Sequence, residues 1–125
     1  MNRIIITDDS ISARLTIQKY MEDYFQKSSR TGMEFRLAES GEALLALLNE
    51  SSELALITLD VNMPGKDGLT LATEIRQRSE TAPILMISAN VQQAVQDRAR
   101  ELGLSFLEKP IDSERLSAKL KELGL

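Results

Sequence analysis

Five times along this chain a short apolar run is followed by a longer stretch with helical spacing, and no connection between successive runs is short enough for a hairpin. Strands joined in this way are parallel, and a parallel sheet needs helices on both faces to keep it from water. The runs are Arg3 to Thr7, Met33 to Ala38, Leu54 to Leu59, Pro83 to Ile87 and Leu104 to Leu107. The helical patterns open at Ser10, after Ser40, at Leu69, at Val91 and after Asp112, with Ser40 and Asp112 placed as N-caps and Gly103 closing the fourth. Gln26 to Gly32 and Asn49 to Glu53 are polar and read as connections. The expected fold is therefore α/β, a doubly wound five-stranded parallel sheet with five helices in one domain spanning residues 1–125.

The third run is the most informative. Leu54-Ala55-Leu56-Ile57-Thr58-Leu59 is apolar without interruption, as expected of a strand buried on both faces, and it ends on Asp60 before the turn-rich Val61-Asn62-Met63-Pro64-Gly65-Lys66-Asp67-Gly68. Ligands of open α/β sheets bind at the carboxyl edge, where Asp60 stands. Asp8 and Asp9 follow the first strand, Ser88 ends the fourth, and Lys109 follows the fifth. All these ends lie on one side of a parallel sheet, so three carboxylates, a hydroxyl and an ammonium are expected to converge.

Composition limits what they can do. With no His and no Cys, imidazole and thiolate chemistry and their metal sites are excluded, leaving carboxylates, lysines, hydroxyls and oxygen-bound metals. A net charge of −4 argues against nucleic acid as a partner. No apolar stretch approaches the roughly 18 residues that span a bilayer, and the amino terminus lacks a signal-peptide core, so the expected location is the cytoplasm. Clustered carboxylates repel one another, and a hard divalent ion such as Mg²⁺ relieves that repulsion and can clamp phosphoryl oxygens. Asp60 is then a candidate nucleophile that accepts a phosphoryl group as an acyl phosphate. Taken singly, an Asp-Asp pair is more often a helix cap, an Asp before Asn-x-Pro-Gly a turn former, and Lys-Pro a loop. Their recurrence at the ends of consecutive strands outweighs those readings.

Four segments carry a resemblance: Ile6-Thr7-Asp8-Asp9-Ser10 with Arg14, Asp60-Val61-Asn62-Met63-Pro64-Gly65-Lys66-Asp67-Gly68, Ile87-Ser88-Ala89, and Phe106-Leu107-Glu108-Lys109-Pro110. In this order and spacing the chain resembles the receiver domain of two-component response regulators, of the stand-alone, CheY-like kind, over essentially its whole length. The resemblance implies a flavodoxin-like strand order 2-1-3-4-5. It implies that Asp60 takes a phosphoryl group from a phosphohistidine on a sensor histidine kinase or phosphotransfer protein. Mg²⁺ would be held by Asp9 directly, by Asp8 mainly through water, by Asp60 and by the backbone carbonyl of Asn62. Lys109 would pair with phosphoryl oxygens and precede a cis bond to Pro110. Ser88 would be the switch hydroxyl and Phe106 the switch aromatic, while Asn62 and Asn90 would tune hydrolysis of the acyl phosphate. Thr7 replaces the more usual apolar residue before the acids.

The chain ends at Leu125, directly after the last helix, so the expected output is protein–protein contact. The expected face is Val91 to Leu102, Leu104 to Leu107 and Asp112 to Leu123, on a monomer or weak dimer. A chemotaxis-type regulator is the expected role, with a phosphorelay intermediate or phosphate sink as alternatives. Two rivals belong to other classes. One is a small Mg²⁺-dependent phosphohydrolase with an aspartyl nucleophile, for which Asn62 lacks the second carboxylate. The other is an adaptor that does not depend on phosphorylation. The expected chemistry is phosphoacceptance rather than enzymatic turnover.

Overall fold

The computed structural model describes residues 2–50 and 53–125, so the polar connection expected at 49–53 lies partly outside the described residues. Strands β1 (Arg3–Thr7), β2 (Glu34–Ala38), β3 (Leu54–Leu59), β4 (Ile84–Ser88) and β5 (Ser105–Glu108) form one parallel sheet in the order β2-β1-β3-β4-β5. Between them run α1 (Ile11–Lys27), α2 (Gly41–Leu47), α3 (Gly68–Gln77) and α4 (Gln93–Glu101), and α5 (Ser113–Glu122) follows β5. The order steps outward in both directions from β1 and β3, which makes their carboxyl ends the topological switch point where a ligand crevice forms.

Two apolar layers flank the sheet. On one side Ile4, Ile6, Leu56, Leu85 and Ile87 meet Ile17, Met21 and Phe25 of α1 and Leu116 and Leu120 of α5. On the other, Ile5, Ile57, Leu59 and Met86 meet Leu44 of α2, Leu71 and Ile75 of α3 and Ala99 of α4. All residues of β1, β3 and β4 are buried, as their uninterrupted apolar runs require. Thr7 and Thr58 lie within this core, and their hydroxyls find no partner among the described residues. Arg3 is fully buried at the amino edge, where Nη1 donates to the Leu47 carbonyl at 3.2 Å and pairs with Glu50.

Helix starts follow the expected caps: Ser40 Oγ accepts from Ala43 N, and Asp112 Oδ1 accepts from Arg115 N. Several boundaries differ from expectation: β2 begins at Glu34 rather than Met33, and β4 at Ile84 rather than Pro83. Gln26 and Lys27 belong to α1, because buried Phe25 anchors the last turn and a lysine there suits the helix dipole. Helix α4 begins at Gln93 rather than Val91, since the Asn90 side chain accepts from Gln92 N and closes a turn ahead of it. Strand β5 is shifted one residue, to Ser105–Glu108. No helix among the described residues is long and apolar enough to cross a membrane.

Candidate functional site at the carboxyl edge

Asp60 follows the last residue of β3 and is only 7% exposed; Asp8, just past β1, is 1% exposed. Lys109 Nζ lies 2.7 Å from Asp8 Oδ2 and 2.7 Å from Asp60 Oδ2, so one ammonium bridges both acids. Burial lowers the pKa of Lys109, but its hydrogen bonds to Asp60 and Asp8 and their charges outweigh that, leaving it above the ordinary lysine value. Ser88 Oγ donates to Asp60 Oδ1 at 2.7 Å, and Asn62 N donates to the same oxygen at 3.0 Å. Both Asp60 oxygens are thus oriented by donors from the end of β4 and from two different loops.

Local sequence explains each placement. Val61 and Met63 are buried on either side of exposed Asn62 and hold the loop after β3 to the core. Gly68 N donates to the Val61 carbonyl at 2.8 Å, which seats the first residue of α3 against the loop that follows β3. A Cβ on Gly68 would lie 2.2 Å from the Asp60 carbonyl oxygen, so the close approach demands glycine. Lys66 pairs with Glu74 of α3 and fastens the same loop from outside. Lys109 N donates to the Ser88 carbonyl at 3.0 Å, and the Lys109–Pro110 bond is cis, as expected.

The structure therefore brings together Asp8, Asp60, Ser88 and Lys109. Asp9 remains exposed at the rim. Asn62 and Asn90 meet across the mouth, where Asn90 Nδ2 donates to Asn62 Oδ1 at 3.2 Å. Phe106 is half-buried and, like Val95 and Leu102, packs against the edge of the apolar layer on the α4 side of the sheet. Arg14, carried in the sequence motif without a role, donates through Nη1 to the Asp8 carbonyl at 2.6 Å and is itself buried. Its signal was a charged residue on the apolar side of an amphipathic helix.

The donor set suits a hard cation. Two buried carboxylates share one ammonium, and the neighbouring Asp9 offers a further, exposed carboxylate. Among the described residues no three acids gather into a cage. Mg²⁺ needs none, since one or two carboxylates with a carbonyl and waters suffice.

The family model of the response regulator receiver domain matches residues 4–121. The chain belongs to that family. This receiver domain is 40% identical over 79 residues to the transcriptional regulatory protein TctD of Salmonella typhimurium, covering 61% of the chain and 34% of that protein. It is 36% identical over 123 residues to the transcriptional regulatory protein YxdJ of Bacillus subtilis, covering 97% of the chain and 49% of that protein. The chain thus spans about a third to a half of the curated relatives it matches. The solved structure of the chemotaxis response regulator CheY4 of Vibrio cholerae superposes with a TM-score of 0.81 at 27% identity, covering 98% of both chains. The flavodoxin-like order 2-1-3-4-5 is that of this family.

Proposed function

We propose that this receiver domain is a Mg²⁺-dependent phosphoacceptor whose nucleophile is Asp60 and whose modification changes a protein-binding face. The observation that carries the reading is the convergence of Lys109 and Ser88 on the two Asp60 oxygens, each at 2.7 Å. In the transfer, a lone pair of the Asp60 carboxylate forms the new O–P bond. The P–N bond of a partner's phosphohistidine breaks, and its electron pair returns to the imidazole. Lys109 neutralises charge on the transferred group and Ser88 donates to one of its oxygens. Mg²⁺ held by Asp8, Asp9, Asp60 and the Asn62 carbonyl would neutralise further phosphoryl oxygens. Asn62 and Asn90 control the approach of the water that later releases inorganic phosphate. One phosphoryl group per chain is taken up, with self-catalysed transfer and hydrolysis rather than turnover of an outside substrate.

Features beside the site suit a phosphoryl donor. Ile11 and Leu15 of α1 are 67% and 56% exposed, and a cleft of about 430 Å³ lined by Ser12, Ile17, Ile87 and Pro110 opens next to Lys109. Exposed apolar groups around a polar centre mark an interaction surface. On the output side, α4 buries only Ala99, which makes it the helix least tied to the core. We assign output to α4, β5 and α5, with Ser88 and Phe106 linking it to Asp60. The domain is assigned to the cytoplasm.

A chemotaxis-type role is supported by the likeness to CheY4, a chemotaxis response regulator. A receiver that feeds transcription is the second reading, favoured by the curated relatives. Adding beryllofluoride and Mg²⁺ and recording amide chemical shifts tests the switch: shifts must reach Ser88, α4 and Phe106, and a response confined to Asp60 would sink it. Capture with the beryllofluoride-loaded protein separates the pathways, a flagellar motor protein supporting the first and a DNA-binding module the second.

A further inference from the structure

Arg115 is the third residue of α5, where a positive charge opposes the helix dipole. Its side chain is exposed, so burial does not explain it. Its guanidinium turns back over the preceding loop: Nη1 donates to the Pro110 carbonyl at 2.9 Å and Nη2 to the Glu108 carbonyl at 3.0 Å. Those carbonyls belong to the residues on either side of Lys109. The Arg115 amide in turn donates to Asp112 Oδ1 at 2.8 Å, so the turn that carries the clamp is itself capped. With Lys109 N bonded to the Ser88 carbonyl, the segment is fastened to β4 at its centre and to α5 on both flanks.

We propose that Arg115 is a positioning residue for Lys109. Its planar fork fixes residues 108 and 110 relative to each other, leaving Lys109 only its side-chain torsions with which to reach Asp8 and Asp60. Arg115 touches no reacting atom. A lysine cannot reproduce the effect, because a single ammonium does not span two separated carbonyls as a guanidinium does. The inference rests on Asp60 being the phosphoacceptor, and its test is arranged so that the two can fail separately.

The experiment compares the full chain with Arg115→Ala, Arg115→Lys and Arg30→Ala, the last removing an exposed arginine from the connection between α1 and β2, at a distance from the loop. Initial rates of phosphorylation by a small phosphoramidate with Mg²⁺ are measured across donor concentration, together with thermal midpoints and the amide and ammonium NMR signals of Lys109. Arg115→Ala should lower the maximal rate roughly 3- to 10-fold, because small displacements of catalytic groups are costly, with half-saturation unchanged. Its midpoint should stay within about 2 °C of the parent. Arg115→Lys should recover only part of the loss, Arg30→Ala should match the parent, and the Lys109 signals should shift and broaden most in Arg115→Ala, less in Arg115→Lys and not in Arg30→Ala. An unchanged rate in Arg115→Ala, full recovery in Arg115→Lys or an equal loss in Arg30→Ala overturns the proposal. If the parent takes up no phosphoryl group, the phosphoacceptor reading falls. The Lys109 signals then still decide the clamp, unchanged signals in Arg115→Ala refuting it.

Discussion

Gly68→Ala is the substitution for which local propensity and the folded structure give opposite signs. Gly68 opens α3, and replacing a helical glycine by alanine ordinarily stabilises by about 0.5–1 kcal/mol. Here the added Cβ would stand 2.2 Å from the Asp60 carbonyl oxygen and 2.9 Å from both its carbonyl carbon and Met86 Cε. The Met86 methyl can swing away, but the Asp60 carbonyl is backbone. Restoring an ordinary C···O separation of roughly 3.3 Å needs about 1 Å of movement. Crowding of this kind costs about 1–3 kcal/mol, exceeding the gain in propensity. The same movement drags Asp60 off its donors, and a misplacement of about 1 Å can slow chemistry on the order of a hundredfold. Urea unfolding and phosphorylation by a small donor should therefore both deteriorate. Gly41→Ala is the control: its Cβ would meet only the tip of Leu71, at 3.3 Å, so losses should stay below about 1 kcal/mol with uptake unaffected. A Gly68→Ala protein as stable and as reactive as the parent would refute the argument.

Asp60→Asn should abolish the mass increase of one phosphoryl group on incubation with a phosphoramidate, while the folded amide spectrum persists; an undiminished increase would assign the nucleophile elsewhere. Thr58→Val and Thr7→Val each remove a buried hydroxyl without a partner among the described residues and should raise the unfolding free energy measured in urea by about 1 kcal/mol apiece. Arg3→Met strands the Leu47 carbonyl and leaves Glu50 to Arg36 at the edge opposite the site, so stability should drop by about 1–3 kcal/mol with uptake kinetics unaltered. For Lys109, whose folded pKa is raised, the stabilisation should be whole below the ordinary value of 10.5 and fade as pH climbs through the folded value. Unfolding of parent and Lys109→Met in chelator checks this: a gap that widens with alkalinity would contradict the sign.

Much of the fold was legible because β1, β3 and β4 are buried on both faces and so appear as unbroken apolar runs. Edge strand β2 was harder, since Glu34 and Leu37 are exposed and its alternation is weak. The end of α1 was missed because Gln26 and Lys27 are polar on any reading, and only buried Phe25 shows that the helix continues. Asp8, Asp60, Ser88 and Lys109 were legible as strand-end residues, because a parallel sheet puts such ends on one side. Arg115 was not, since its role depends on a side chain folding back over a loop. The Gly68 contact likewise arises from how closely α3 sits on Asp60.

The burial of Arg3 has a consequence for how a signal can travel. It lies at one end of β1 and Asp8 lies just beyond the other, each tied by charge to a different part of the molecule. A strand pinned at both ends has no neighbouring register to slide into, because a one-residue slip would tear out both anchors and turn every side chain to the wrong face. The central sheet is thus a fixed anvil. On the reading proposed above, a blow struck at its carboxyl edge is passed on by side chains that turn, such as Ser88 and Phe106, and by the loops around the rim, not by sliding of β1.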